Sequence, residues 1–117
     1  MEDITLSNAQ IISFLLVFFR IGAVIFTAPI FGARNLPIQV RTLLSFTIAI
    51  VITSAILPYK GLTSIHLNNT WEYFLAIARE VILGISIGFM AQLIFIAIQF
   101  AGQLIGNDIG FGMMNIF

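Results

Sequence analysis

The feature that most constrains this chain is a run of twenty-seven residues without a charge, between Glu80 and Asp108. An apolar stretch of eighteen or more residues is long enough to cross a bilayer as a helix. The whole chain is 60% hydrophobic and 9% charged, with a mean hydropathy of +1.09, whereas soluble domains carry about 25% charged residues. The sequence therefore predicts an all-α integral membrane protein that forms part of a larger helical assembly.

Three long apolar helices account for most of the chain. Ser7 and Gln10 fit a capping box for the first helix, which Pro29 closes, and Pro58 stops the second. Asn69 or Thr70 can cap the third. The predicted helices cover residues 8–31, 38–57 and 71–106. At 1.5 Å per residue the third would be roughly 54 Å long, against a hydrocarbon core of about 30 Å, so it must protrude, tilt or break.

One face of the third helix carries small and amide residues. Their spacings of 4, 4, 7, 3 and 4 keep them on a single slowly drifting stripe. Helices in lipid associate through close backbone approach at glycine and through side-chain amides. We therefore expect this stripe, called here the small-residue face, to contact protein; it consists of Gly84, Gly88, Gln92, Gln99, Gly102 and Gly106.

Arg20 lies near the middle of the first apolar helix. A cation at a bilayer centre costs from about 2.5 kcal/mol to more than 10 kcal/mol, depending on the scale. One interpretation is a buried ion pair that holds helices in register, with Glu80 as first and Asp108 as second candidate partner. The other is that the first helix does not lie in lipid at that depth. Both place Arg20 in polar or proteinaceous surroundings.

Arg79 and Glu80 are adjacent, so on a helix their side chains point about 100° apart. Each then needs a separate partner, or both extend to the membrane interface along their aliphatic stems. Arg34 and Arg41 flank the first loop whereas Lys60 is alone in the second, and this distribution favours a cytoplasmic first loop.

Catalysis has no visible candidate. The chain has no cysteine and a single histidine, His66, so neither thiol chemistry nor a metal site is expected, and no cofactor motif is present. Five basic and five acidic residues leave no net charge, which argues against nucleic acid as a partner. We therefore expect a protein that is not an enzyme.

The C-terminal residues 106–117 combine glycines with large, deformable apolar side chains. Methionine and phenylalanine can repack around varied shapes, and apolar constrictions close pores by excluding water. This segment is either a soft gate or an ordinary glycine-rich turn. The gate residues would be Phe111, Met113, Met114 and Phe117.

The order of motifs along the chain resembles the FliR/SctT family of bacterial export-gate proteins. The resemblance is carried by Arg20, the turn at residues 27–32, the Arg34–Pro37 segment with Val40, residues 79–89 and residues 101–106. It covers the whole chain but only the N-terminal half of a typical FliR. The resemblance therefore leads us to expect a fragment, a degraded gene product or one piece of a split subunit.

The resemblance implies a subunit of the flagellar type III export gate in the bacterial inner membrane, at the flagellar basal body. It implies FliP and FliQ as partners and unfolded flagellar proteins as substrates. It also implies that residues 106–117 begin a plug loop. The alternative, from apolarity and the small-residue face alone, is a small self-associating membrane pore or transporter fragment.

Overall fold

The computed structural model describes residues 2–29, 36–56 and 68–110, and of residues 2–7 the backbone alone. Three helices account for most of this described part: α1 Glu2–Thr27, α2 Ile38–Ile56 and α3 Thr70–Asp108. Each contains a segment long and apolar enough to cross a membrane. The predicted all-α membrane fold is confirmed. His66 and the gate residues Phe111, Met113, Met114 and Phe117 lie outside the described residues.

Both predicted ends of the first helix are wrong. α1 begins at Glu2, so Ser7 lies inside the helix and is not its cap. Neither glycine nor proline occurs in the first turns, so no helix breaker prevents the helix from beginning before Ser7. The helix ends at Thr27 rather than at residue 31, because Pro29 disfavours helical backbone at Ala28, the residue before it.

α2 starts directly after Pro37, whose carbonyl accepts from the backbone N–H of Val40 at 3.1 Å. Its predicted last residue, Leu57, lies outside the described residues. α3 begins one residue before the prediction and continues to Asp108, so the first residues assigned to the gate loop, Gly106 to Asp108, are helical. Gly110, with φ +78°, follows the end of α3.

The start of α3 is organised by Glu72. Asn69 occupies the N-cap position without a side-chain bond to the helix. The Glu72 carboxylate instead accepts from the backbone N–H of Asn68 at 2.9 Å. The acidic side chain also lies in the first helical turn, where the dipole favours a negative charge.

α1 is the central helix and makes the extensive contacts with both α2 and α3. Phe46 of α2 packs edge-on against Phe14 and Phe18, with ring centres 5.5 and 6.2 Å apart. Arg41 lies over Phe26, nearer the other end of α1. α2 therefore runs antiparallel to α1. α3 runs parallel to α1, since Arg20 meets Glu80 while Thr27 lies opposite Gly88.

The buried residues of this fold are mostly small. Ser45, Ala49 and Thr53, spaced four apart on α2, are buried, as are Gly84 and Gly88 on α3. Many large aliphatic side chains point outward instead. Helices in lipid are expected to pack in this way, because the tails are as apolar as leucine and association depends on close approach.

Candidate functional site: the small-residue face of α3

The first part of the small-residue face is the contact between α3 and α1. Gly84 and Gly88 are buried, one turn apart, against residues 20–27 of α1. A Cβ atom added to Gly84 would lie 2.6 Å from Cβ of Ala23 and would also collide with the carbonyl oxygen of Arg20. The two backbones are therefore too close for any side chain at this position.

Gly88 is enclosed even more tightly, by Thr27 and Val24. An added Cβ atom would lie 2.8 Å from Cβ of Thr27 and 3.2 Å from the carbonyl oxygen of Val24, and would collide with the Thr27 hydroxyl. That hydroxyl cannot turn away without loss, because it donates to the carbonyl of Ala23 at 2.7 Å. Gly88 thus fixes the distance between α1 and α3.

An ion pair lies one turn before Gly84. The Arg20 guanidinium and the Glu80 carboxylate form a two-point contact, with Nε donating to Oε2 and Nη2 donating to Oε1 at 2.8 Å. This geometry matches a planar guanidinium to a planar carboxylate and sets both distance and orientation. The structure thus joins Arg20 to the first of its two predicted partners. Asp108, the second, lies 28 residues further along α3, about 42 Å away.

The charges of this pair differ in exposure. The Glu80 side chain is 15% exposed, whereas that of Arg20 is 47% exposed within this chain. Arg20 is therefore held by Glu80 but not enclosed by its own chain. Arg79, the third residue predicted as a buried charge, is exposed on another side of α3. Within this chain Glu80 is therefore partly buried and Arg20 and Arg79 are exposed, and burial of the three charges in an assembly stays a prediction.

The second part of the small-residue face is less buried than the first. Gln92 is half-buried and Gln99 is exposed. Cβ atoms added to Gly102 or Gly106 would meet no atom within 4 Å. Residues 89–108, called here the distal half of α3, extend about 30 Å beyond the level of Thr27. The structure therefore brings together Gly84 and Gly88 with α1, and leaves open space at Gly102 and Gly106 among the described residues.

The complementary residues on α1 and α2 were missed by sequence reasoning. Ala23 and Thr27 on α1 are four residues apart and lie opposite the glycines of α3. On α2 the buried stripe is Ser45, Ala49 and Thr53. The two sets consist of small residues at the four-residue spacing that allows close helix approach. A pattern of small residues that includes alanine, serine and threonine as well as glycine identifies both sets in the sequence.

Comparisons with known proteins agree with these motifs. A family model described as "Bacterial export proteins, family 1" matches residues 11–117. A protein of Aquifex aeolicus called flagellar biosynthetic protein FliR is 31% identical over 117 residues, which is 100% of this chain and 43% of the relative. Proteins of that name from Bacillus subtilis and Escherichia coli are 34% and 32% identical, each over 89% of this chain and over 38% and 40% of their own lengths.

The chain thus spans less than half the length of the curated relatives it matches. No solved structure matches it significantly.

Proposed function

This chain belongs to the bacterial export proteins, family 1, and from that premise we propose its function. It is a component of the flagellar protein export apparatus. In this proposal it works as a structural subunit rather than as an enzyme. It resides in the inner membrane at the flagellar basal body. With FliP and FliQ it forms part of the channel through which unfolded flagellar proteins leave the cytoplasm.

The observation that carries the assembly role is the contrast along α3. The first half packs against α1 through two glycines and an ion pair. The distal half has two further glycines with open space around them among the described residues. Glycines destabilise a helix interior by up to about 1 kcal/mol relative to alanine. Glycines at helix-packing spacing that have open space around them among the described residues therefore favour a helix from another subunit as their neighbour.

Co-purification tests this role. The tagged full chain is co-expressed with FliP and FliQ, extracted in mild detergent and isolated by its tag. We expect both partners to be recovered, and we expect Gly102→Leu to abolish their recovery because the added side chain prevents close approach. Ala97→Leu is the matched control: it places the same leucine side chain at an exposed position on the opposite face of α3. Equal recovery with both variants would contradict the proposed contact.

The gate segment is a separate part of the proposal. Phe111, Met113, Met114 and Phe117 would supply the deformable apolar seal, by the chemistry argued from the sequence. Replacing all four with serine in an assembled export apparatus should raise ion leakage across the membrane. Unchanged leakage would remove the seal from the proposal without affecting the assembly role.

The alternative, a self-associating membrane pore, rests on the same distal glycines, which could also accept a second copy of this chain. Expressing the full chain alone separates the two. A stable homo-oligomer that conducts ions in planar bilayers would favour the pore, whereas instability relieved by FliP and FliQ favours the export subunit.

A further inference from the structure

Arg79 is an exposed cation on α3 that has no ion pair among the described residues. Its neighbour Glu80 is paired with Arg20 and points about 100° away round the helix. An arginine side chain stays positively charged in proteins and offers five hydrogen-bond donors. The charge of Arg79 is therefore not neutralised within the described part of the chain.

The surface around Arg79 is apolar. Leu75, Ile82 and Leu83 lie one turn before and after it on the same side of α3, and all three are exposed. Gly84, which lies against α1, is about 140° round the helix from Arg79. This surface, called here the Arg79 edge, thus faces away from α1 and combines one cation with exposed aliphatic side chains.

The depth of Arg79 favours a protein group over a lipid headgroup as its partner. Trp71 is exposed near the start of α3, and tryptophan is enriched where the bilayer meets water. Arg79 lies eight residues further along the helix, about 12 Å deeper, and residues 74–78 between them are all apolar. That distance is longer than an extended arginine side chain. With Trp71 at the interface, the guanidinium lies in hydrocarbon, where a charge needs another charged group or protein carbonyls beside it.

The chain itself shows how a charge is accommodated at this level. Glu80, the next residue of α3, receives a two-point contact from Arg20 on the neighbouring helix. A carboxylate and a guanidinium on helices that lie side by side satisfy one another in this geometry. The same arrangement at the Arg79 edge requires a carboxylate on a helix packed against the other side of α3.

A second copy of this chain does not offer that carboxylate at the same depth. Among the described side chains, the carboxylates belong to Glu72, Glu80 and Asp108. Glu80 is paired with Arg20, and Glu72 lies about 10 Å nearer the start of α3, where it accepts from the backbone of Asn68. Asp108 is about 44 Å away along the helix. Charge complementarity therefore favours a different polypeptide.

We infer that the Arg79 edge docks a helix of FliP or FliQ that carries an Asp or Glu among apolar residues, and that this carboxylate pairs with the Arg79 guanidinium. The inference rests on the proposed function and adds the chemistry of the partner. Gly102 lies about 140° round α3 from Arg79. The two surfaces therefore contact different neighbours, and only the helix at the Arg79 edge needs a negative charge.

Co-purification with FliP and FliQ tests the charge at this edge. Arg79→Gln in the tagged full chain should lower the recovery of one partner at least tenfold, because it leaves a buried carboxylate of that partner without a cation. Arg79→Lys is the matched control, which keeps the charge and should keep most of the recovery. Helix content by circular dichroism should be unchanged in both variants, since Arg79 is exposed in its own chain.

Charge exchange identifies the partner residue. Each Asp and Glu in the apolar helices of FliP and FliQ is replaced by arginine, one at a time, and combined with Arg79→Glu. We expect Arg79→Glu alone to abolish recovery of the partner and one of the replacements to restore it. The same replacement should lower recovery when Arg79 is unchanged.

Equal recovery with Arg79→Gln and Arg79→Lys would overturn the inference. Failure of every replacement to restore Arg79→Glu would overturn it too, and would assign Arg79 to a lipid headgroup or to water. Self-association of the chain that is lost in Arg79→Gln would mean that a second copy is the partner instead. These results leave recovery with the unchanged chain intact, whereas failure of the proposed function would appear as absence of FliP and FliQ from that preparation.

Discussion

The two halves of α3 carry the same residue pattern but have different surroundings. In the first half, Gly84 and Gly88 are buried against α1. In the distal half, Gly102 and Gly106 have open space around them. Gly102 follows Gly84 by eighteen residues, which is five helical turns, so both glycines lie on the same side of the helix.

The difference between the halves therefore comes from α1 and not from α3. α1 ends at Thr27, opposite Gly88, whereas α3 continues for another twenty residues. One face can thus serve as an internal contact over part of its length and present the same chemistry outward over the rest. A pattern read from sequence identifies a packing surface, and only the length of the neighbouring helix decides where that surface is covered.

The largest loss in the free energy of unfolding should come from a large side chain at Gly88. Gly88→Leu has no room beside Thr27 and Val24, so α1 and α3 must separate, and we expect a loss of more than about 3 kcal/mol in the free energy of unfolding. Gly102→Leu should change it by less than about 0.5 kcal/mol in the chain alone. Unfolding in SDS, followed by circular dichroism, measures both. Similar losses for the two variants would remove the distinction between the halves.

Loss of the ion pair between α1 and α3 should lower the free energy of unfolding by less than Gly88→Leu does. A double-mutant cycle with Arg20→Ala and Glu80→Ala should give a coupling free energy of about 1 kcal/mol, as expected for a two-point charged contact in which the arginine is exposed. The exchanged pair, Arg20→Glu with Glu80→Arg, should recover part of the stability that either reversal loses alone. Additive single effects would show that the pair contributes nothing to the register of the helices.

Glu72→Gln should have a modest effect at the start of α3. It removes the negative charge from the first turn and weakens the bond from Asn68 N–H, at an expected cost of about 0.5–1 kcal/mol. Hydrogen exchange of the amides in the first turn of α3 measures it. Asn107→Asp, in the exposed last turn, is a useful control. Like Glu72→Gln, it makes the interaction of charge with the helix dipole less favourable, but it leaves the Asn68 contact intact.

The smallest change is expected for Gly102→Ala in the isolated chain. The methyl group meets no atom within 4 Å, so the unfolding free energy should stay within about 0.5 kcal/mol or rise slightly through helix propensity. Gly88→Ala should lose about 1–3 kcal/mol in the same measurement. A destabilised Gly102→Ala chain would mean that the distal half already has a contact within its own chain.

Local chemistry made much of this fold predictable. The charge-free run and the overall hydropathy were enough for an all-α membrane protein, and Pro37 placed the start of α2 because its carbonyl is the first acceptor of that helix. The predicted start of α1 was wrong because the residues before Ser7 contain no helix breaker, so the helix includes the predicted capping box. Its end was wrong because the influence of Pro29 reaches the residue that precedes it.

The candidate site was predictable as a face but not as a set of contacts. Glycine spacing identified Gly84 and Gly88, and charge identified Arg20 with Glu80. Which half of the face is covered depends on the register between α1 and α3, and one chain's residue spacing does not encode the relative height of two helices.

Pro29 has a consequence that extends beyond this chain. By ending α1 at the level of Gly88, it defines an axial position above which α1 no longer covers α3. In the proposed assembly, a helix that packs on Gly102 and Gly106 would begin its contact above that level. Inserting a single residue in α1 before Thr27 would raise the boundary by about 1.5 Å and rotate the end of the helix by about 100°. In the proposed assembly, the place of one proline in the sequence would therefore set the axial position of a neighbouring helix.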